Sequence, residues 1–319
     1  MPGPAEDKPL LVSVLVPSYN YGRYLGEALE SIGRQSYPHW EIVAVDDGST
    51  DDSVEVLREY KKRSWGKLRV LAHPGGTHQG LVPTYQRALA AAQGGIVAFL
   101  EADDVWHPEN LRRKVEILNR YPEVGVVYSD YLAFGDRKAS AFWYLYGAIR
   151  RWETPAGVPC RMLRSFLLRN PVASFSHFIV RRELLGDMPD PGSHFRNYDW
   201  WVLAHLAART SFYFLPEKLS FWRIHRGSAW HRRHDRKTTV RLLSFLLKLY
   251  KSLLSGSAAE SGEAEKLAQA ERKACSFRSS LSERKFFKLA AQMALAYPID
   301  SVRFWGHVLL RNLLLGGRA

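Results

Sequence analysis

From Val12 to Tyr128 the sequence changes period again and again, and this alternation restricts the fold more than any other feature. Val12-Ser13-Val14-Leu15-Val16-Pro17 is an apolar run of strand length. After the turn Tyr19-Asn20-Tyr21-Gly22, Leu25, Ala28, Leu29 and Ile32 return at helical spacing. Glu41-Ile42-Val43-Ala44-Val45 predicts a second strand ending at Asp46-Asp47-Gly48, and Ser49-Thr50-Asp51-Asp52 suits the cap of a helix through Val54, Val56, Leu57 and Tyr60. Leu68-Arg69-Val70-Leu71 predicts a third strand, and a helix from about Val82 to Gln93 stops at Gly94-Gly95. Ile96-Val97-Ala98-Phe99-Leu100 then predicts a fourth strand, running into Glu101-Ala102-Asp103-Asp104. Pro108 suits the first turn of another helix, and Val124 to Tyr128 has the composition of a fifth strand. Strands alternating with helices in this way imply an α/β fold with a mostly parallel sheet flanked by helices.

In such a sheet, ligands bind beyond the carboxyl ends of the strands, so the polar clusters there matter most. Three strands end in one. Pro17-Ser18-Tyr19-Asn20 offers an aromatic ring, Asp46-Asp47-Gly48-Ser49 offers carboxylates able to accept from an imide N–H or a hydroxyl, and Glu101-Ala102-Asp103-Asp104 offers hard oxygens suited to Mg2+ or Mn2+. Taken singly each is weak: Asp-Asp-Gly after a strand is often only a turn, and Asp104 ahead of Pro108 suits a helix cap. Together, in order, a ring, a hydrogen-bonding carboxylate and a cation site suit a nucleoside diphosphate.

Composition narrows the class. A chain of 319 residues with 46% hydrophobic and 24% charged residues is globular, and its two cysteines, Cys160 and Cys275, are too few and too far apart for a disulfide framework or a zinc knuckle. That usage fits a reducing, cytoplasmic setting. No run reaches the roughly 18 apolar residues that would span a bilayer. The formal charge of +13 is uneven: residues 1–204 hold 24 basic and 24 acidic residues, which leaves 21 basic against 8 acidic in 205–319. Segments such as 240–251 and 302–311 mix apolar and cationic residues, which suits an anionic membrane face as well as it suits ordinary helix packing. No nucleic-acid module accompanies the charge, so no nucleic-acid partner is expected.

Val12 to Pro108 resembles the family two inverting glycosyltransferases of glycosyltransferase-A fold, a Rossmann-like architecture. The matching motifs are Val14-Leu15-Val16-Pro17-Ser18-Tyr19-Asn20, Val45-Asp46-Asp47-Gly48-Ser49-Thr50-Asp51 and Phe99-Leu100-Glu101-Ala102-Asp103-Asp104, with Gln79-Gly80 opening the helix between. The resemblance implies that Pro17 shapes the donor pocket, that Tyr19 stacks on the base and that Asp47 binds its imide edge. Glu101, Ala102 and Asp103 take the place of the Asp-x-Asp motif, with Asp103 on the metal. Tyr85-Gln86 stand where relatives often have Arg-Asn.

Two later segments extend the likeness. Arg196-Asn197-Tyr198-Asp199-Trp200-Trp201 resembles the segment that supplies the general base, with Asn197 where the base is usual and Asp199 as the acid available to take the acceptor's proton. Trp222-Arg223-Ile224-His225-Arg226-Gly227-Ser228 resembles a segment in which Arg223 approaches the pyrophosphate and His225 the metal. The implied organisation is a catalytic domain over 1–235, with a nucleotide-sugar half at 10–130 and an acceptor half at 131–235, followed by a basic helical region at 236–319. The implied activity is transfer of one sugar from a nucleotide sugar, a UDP-sugar before others, to a sugar or lipid-linked acceptor during cell-surface polysaccharide or glycolipid assembly. The setting would be cytoplasmic, with peripheral membrane attachment through the basic region. Asn197 leaves one alternative, a catalytically silent nucleotide-sugar-binding partner subunit.

Overall fold

The structure is a computed structural model that describes residues 9–64, 66–136, 155–168, 170–192, 195, 197–225 and 227. The expected helical region 236–319 lies outside the described residues, as do residues 137–154. The chain divides into two compact units, Met1–Met162 with Pro171–His234, and Leu163–Asn170 with Asp235–Ala319.

In the first unit the strands are β1 (Val12–Ser18), β2 (Trp40–Asp46), β3 (Leu68–Ala72), β4 (Ile96–Phe99), β5 (Val105–Trp106), β6 (Val124–Gly135), β7 (Pro159–Cys160), β8 (Phe178–Arg181) and β9 (Ser211–Ile224). The helices are α1 (Gly22–Gly33), α2 (Ser53–Arg63), α3 (Leu81–Ala91), α4 (Asn110–Arg120) and, near its end, α6 (Tyr198–Ala207). The described part of the second unit holds a short helix, α5 (Leu163–Leu168).

The strands form one sheet in the order β3-β2-β1-β4-β8-β6-β9-β5, with β7 on β9. The first four elements of that order run parallel, as the alternation of strands and helices dictates. Beyond β4 the sheet is mixed: β8 is antiparallel to both β4 and β6, while β9 runs parallel to β6 and antiparallel to β5. In this half the strands range from two residues in β5 to 14 in β9, and 3-10 turns flank β8, so its pairing was not legible from periodicity. Pro108 lies just outside α4, whose N-cap is Glu109.

β1 is buried on both faces, which explains its mostly apolar run, and the buried Ser13 hydroxyl donates to Glu41 Oε1 at 2.6 Å. Val12, Val14 and Val16 pack with Leu25, Ala28, Leu29 and Ile32 of α1 in the main core. Each of these Val, Leu and Ile side chains stabilises the fold by about 1.5–3 kcal/mol. Register brings Ser18 level with Asp46 and Leu15 level with Phe99, so the carboxyl ends of β1, β2 and β4 share one edge.

Candidate active site

At that edge the turn after β1 is stitched to the turn after β2. Asn20, at φ 57°, accepts the Thr50 N–H through Oδ1 at 2.7 Å, and its own N–H donates to Ser49 Oγ at 3.0 Å. The Tyr21 and Gly22 N–H groups donate to Ser53 Oγ and Asp51 Oδ2 at 3.1 and 2.9 Å. Burial pulls the Asp51 carboxyl upward, but the Ser53 hydroxyl and the Gly22 N–H outweigh it and hold the group below its ordinary range. Thus Ser49, Thr50 and Asp51 form a loop clasp that holds the turn from Asn20 to Gly22, just after Tyr19. Pro17 is buried opposite Val45.

The Asp47 carboxylate is almost fully buried. Its Oδ1 accepts the Gln79 N–H at 2.7 Å and its Oδ2 the Gly80 N–H at 2.9 Å, so two consecutive backbone donors at the start of α3 orient it. Gly80 sits at φ 95°, a conformation glycine adopts without strain. His78 lies over Tyr19, ring centroids 3.9 Å apart and 25° from parallel, with Nδ1 2.9 Å from Asp47 Oδ2. His73 closes the other side, its Nε2 3.5 Å from Asp47 Oδ1.

The second cluster follows β4. Glu101, Asp103 and Asp104 each offer a carboxylate oxygen, all within 4.8 Å of one another. Burial, then the charges of Asp103 and Asp199, push the Glu101 carboxyl up to about 8, against a hydrogen bond from Ser174. Burial, then Asp103 and Glu101, also raise Asp104 well above the carboxylate range. Ala102 is buried within the main core, so its methyl anchors the backbone of the cluster.

β9 brings the last segment to this cluster. Two residues beyond the pairing of Val105 with Phe221, the Arg223 N–H donates to Asp104 Oδ1 and its Nε to the Asp103 carbonyl, both at 2.9 Å. The guanidinium also pairs with Glu27 and lies over the Tyr24 and Phe134 rings. It braces the acidic turn. His225 Nε2 lies 3.0 Å from Asp103 Oδ2, against Tyr24.

The donor set fits a hard divalent cation. Asp104 Oδ2 is buried without a hydrogen-bond partner in a group with the Glu101 and Asp103 carboxylates, and the His225 imidazole lies against Asp103. Asp103 and His225, with Glu101 and Asp104 beside Asp103, are the oxygen and nitrogen donors that would hold such a cation.

Asp199 stands in the first turn of α6, with Asn197 as N-cap and no side-chain cap hydrogen bond. Its charge acts on both Glu101 and Tyr85. Tyr85, fully buried among Phe99, Phe175 and Tyr198, keeps a hydroxyl with no hydrogen-bond partner. His78, Ser174 and Ser176 join the site without having been singled out in the sequence, whereas Asp104 stands with the hard oxygens expected there. Ser176 Oγ accepts the Glu101 N–H at 3.0 Å across 75 residues, a contact no local pattern announces.

A family model described as "Glycosyl transferase family 2" matches residues 13–188, more than half of the chain. The chain belongs to glycosyl transferase family 2. Its sheet and flanking helices are those of the glycosyltransferase-A fold. Among curated relatives, the putative teichuronic acid biosynthesis glycosyltransferase TuaG of Bacillus subtilis is 39% identical over 108 residues, 34% of this chain and 42% of that protein. The chain spans about a third to three-fifths of the length of the curated relatives it matches. Staphylococcus aureus TarS 1–349, solved with UDP-GlcNAc, superposes with a TM-score of 0.57 at 19% identity, covering 90% of this chain and 81% of that one. The mannosyltransferase PcManGT of Pyrobaculum calidifontis, solved with GDP-Man and Mn2+, gives 0.54 at 20% identity, covering 98% and 87%. These two likenesses concern the fold.

Proposed function

We propose that this family two chain transfers one sugar, with inversion, from a nucleoside-diphosphate sugar to a hydroxyl acceptor, using Mn2+ or Mg2+. The observation that carries this reading is the pairing of Asp103 with His225 beside the unpartnered Asp104 oxygen, on the sheet edge that also presents Tyr19 and Asp47. Asp103 and His225 would hold the cation, with Glu101 and Asp104 alongside. When bound there, it supplies positive charge against the negative charge that develops on the departing diphosphate. Tyr19 stacks on the base, Asp47 accepts from its edge and Pro17 walls the pocket. Arg223 keeps the acidic turn in place. Asp199 takes the proton of the acceptor hydroxyl as that oxygen attacks the anomeric carbon from the face opposite the leaving group.

The name of TuaG supports an acceptor in cell-surface polysaccharide assembly, and the donors named for TarS and PcManGT support a nucleotide sugar. Among the described residues no helix is long and apolar enough to cross a membrane. Access to a lipid-linked acceptor would then rest on the basic region 236–319 docking on an anionic surface. Co-sedimentation with anionic vesicles at low salt tests that step, and failure to bind removes it.

The central test is calorimetric titration with UDP-sugars and GDP-sugars in the presence of Mn2+, followed by product analysis. Metal-dependent binding and turnover are expected. Asn197 favours the second reading, a partner subunit that binds the nucleotide sugar without turning it over; donor binding with no hydrolysis or transfer under either cation would establish it.

A further inference from the structure

Tyr19 and Asp47 offer two things to a nucleobase, a flat ring to stack on and a carboxylate to accept a ring N–H. One side chain of the protein takes both. The His78 imidazole is stacked on Tyr19 at 3.9 Å between centroids, and its Nδ1 lies 2.9 Å from Asp47 Oδ2. A planar heterocycle that stacks on this tyrosine and sets a ring nitrogen against this carboxylate, with the Asp47 main-chain carbonyl 3.3 Å away as that nitrogen's hydrogen-bond partner, stands where a base's imide edge would lie.

The surroundings allow this side chain to leave. His78 is 43% exposed, so withdrawing it uncovers no core. The Asp47 carboxylate stays oriented without it, because the Gln79 and Gly80 N–H groups are main-chain donors on separate oxygens. Each carboxylate oxygen can accept two hydrogen bonds, so the imidazole's departure opens one acceptor site on Oδ2 beside the Gly80 bond. Upstream, Gly75 and Gly76 have φ of 72° and 62°, and the Gly76 carbonyl and His78 N–H lie so close over Gly48 that a Cβ there would meet them at 2.8 and 2.9 Å. The loop backbone is seated while the imidazole reaches out from it, so rotation about the side-chain bonds suffices to clear the slot.

We propose that His78 is a built-in occupant of the nucleobase slot, which the base of the donor must displace from Tyr19 and Asp47. The proposal rests on the reading that these two residues take the base. Its consequence is quantitative: donor affinity is lowered by the fraction of molecules whose slot is open. A slot filled nine-tenths of the time weakens the base's hold about tenfold.

The test is titration of UDP, GDP and inorganic pyrophosphate, each with Mn2+, into the full chain and its His78→Ala, His78→Phe and Tyr19→Ala variants, with circular dichroism confirming the fold of each. His78→Ala is expected to bind UDP or GDP about tenfold more tightly than the unaltered chain, with pyrophosphate binding unchanged. His78→Phe, which keeps a ring for Tyr19 but has no N–H for Asp47, is expected to fall between them. Nucleotide binding that is weaker or unchanged in His78→Ala overturns the proposal and makes His78 a wall of the pocket or a bystander. Equal tightening of pyrophosphate overturns it as well, since the effect would not concern the base. Tyr19→Ala that binds UDP and GDP as the unaltered chain does would instead overturn the assignment of the slot itself, and the proposal with it.

Discussion

The proposed donor side and the proposed acceptor side of this site are built in different ways. On the donor side, Tyr19, Asp47 and Asp103 follow three parallel strands whose register is fixed by an apolar core, with main-chain donors holding the Asp47 carboxylate and the Arg223 guanidinium holding the Asp103 carbonyl. On the acceptor side, Asp199 stands at the start of one helix, and the 3-10 turn Phe175–His177 carries the serines that meet Glu101. The difference teaches that strand-end chemistry is dictated by the sheet, whereas helix-start and turn chemistry depends on packing across the molecule. The donor side should therefore tolerate changes on the acceptor side, and the reverse should hold for the proton-accepting step.

The largest expected effect is on the donor side. Asp103→Ala should reduce metal-dependent turnover roughly 100-fold or more while leaving the circular dichroism spectrum unchanged; near-normal turnover would end the assignment of the cation to this residue. Next, Asp199→Asn should lower the transfer rate by roughly 100-fold with the donor Kd unaltered, and Asn197→Asp tests the division of labour in the same assay. A large gain from Asn197→Asp, with no loss in Asp199→Ala, would move the base away from Asp199.

A third expectation concerns what holds the acceptor-side turn. Lys114 is fully buried in α4 and donates to the His177 carbonyl at 2.9 Å, and burial lowers its ammonium well below the ordinary lysine range. Its folded pKa lies below its unfolded value of about 10.4, so between those two values the unfolded chain binds the extra proton and stability rises with pH. Denaturant melts at increasing pH should show that rise, and Lys114→Met should flatten it; an identical slope in the variant would contradict the lowering of the Lys114 pKa by burial. The smallest effect is expected at the clasp under Tyr19. Asp51→Ala removes the acceptor of the Gly22 N–H and should cost about 1 kcal/mol in a denaturation midpoint, with a modest loss of nucleotide affinity. Unchanged affinity would mean that Tyr19 does not depend on the clasp.

Much of the donor side was legible because period and composition place each strand end within a residue or two. The predicted strand at Glu41 to Val45 became Trp40–Asp46, and that at Ile96 to Leu100 became Ile96–Phe99. The second half of the sheet resisted the same reading. β8 has four residues between two 3-10 turns, and β9 has 14 with bulges against β6, so neither carries a clean alternation. Arg223 shows the limit at a single side chain. Its position after β9 was readable, but its bonds to the Asp103 carbonyl and to Glu27 join residues 120 and 196 positions apart.

By itself the sequence determined the alternating α/β order, the parallel half of the sheet and the acidic and aromatic strand ends that gather on one edge, because hydrophobic period and right-handed crossovers leave few other arrangements. Only the tertiary structure decided that His225 reaches Asp103, that Arg223 braces the acidic turn, and that His78 fills the slot between Tyr19 and Asp47. Those outcomes depend on side-chain approaches of a few ångströms between distant segments, and no local pattern in the chain encodes a distance.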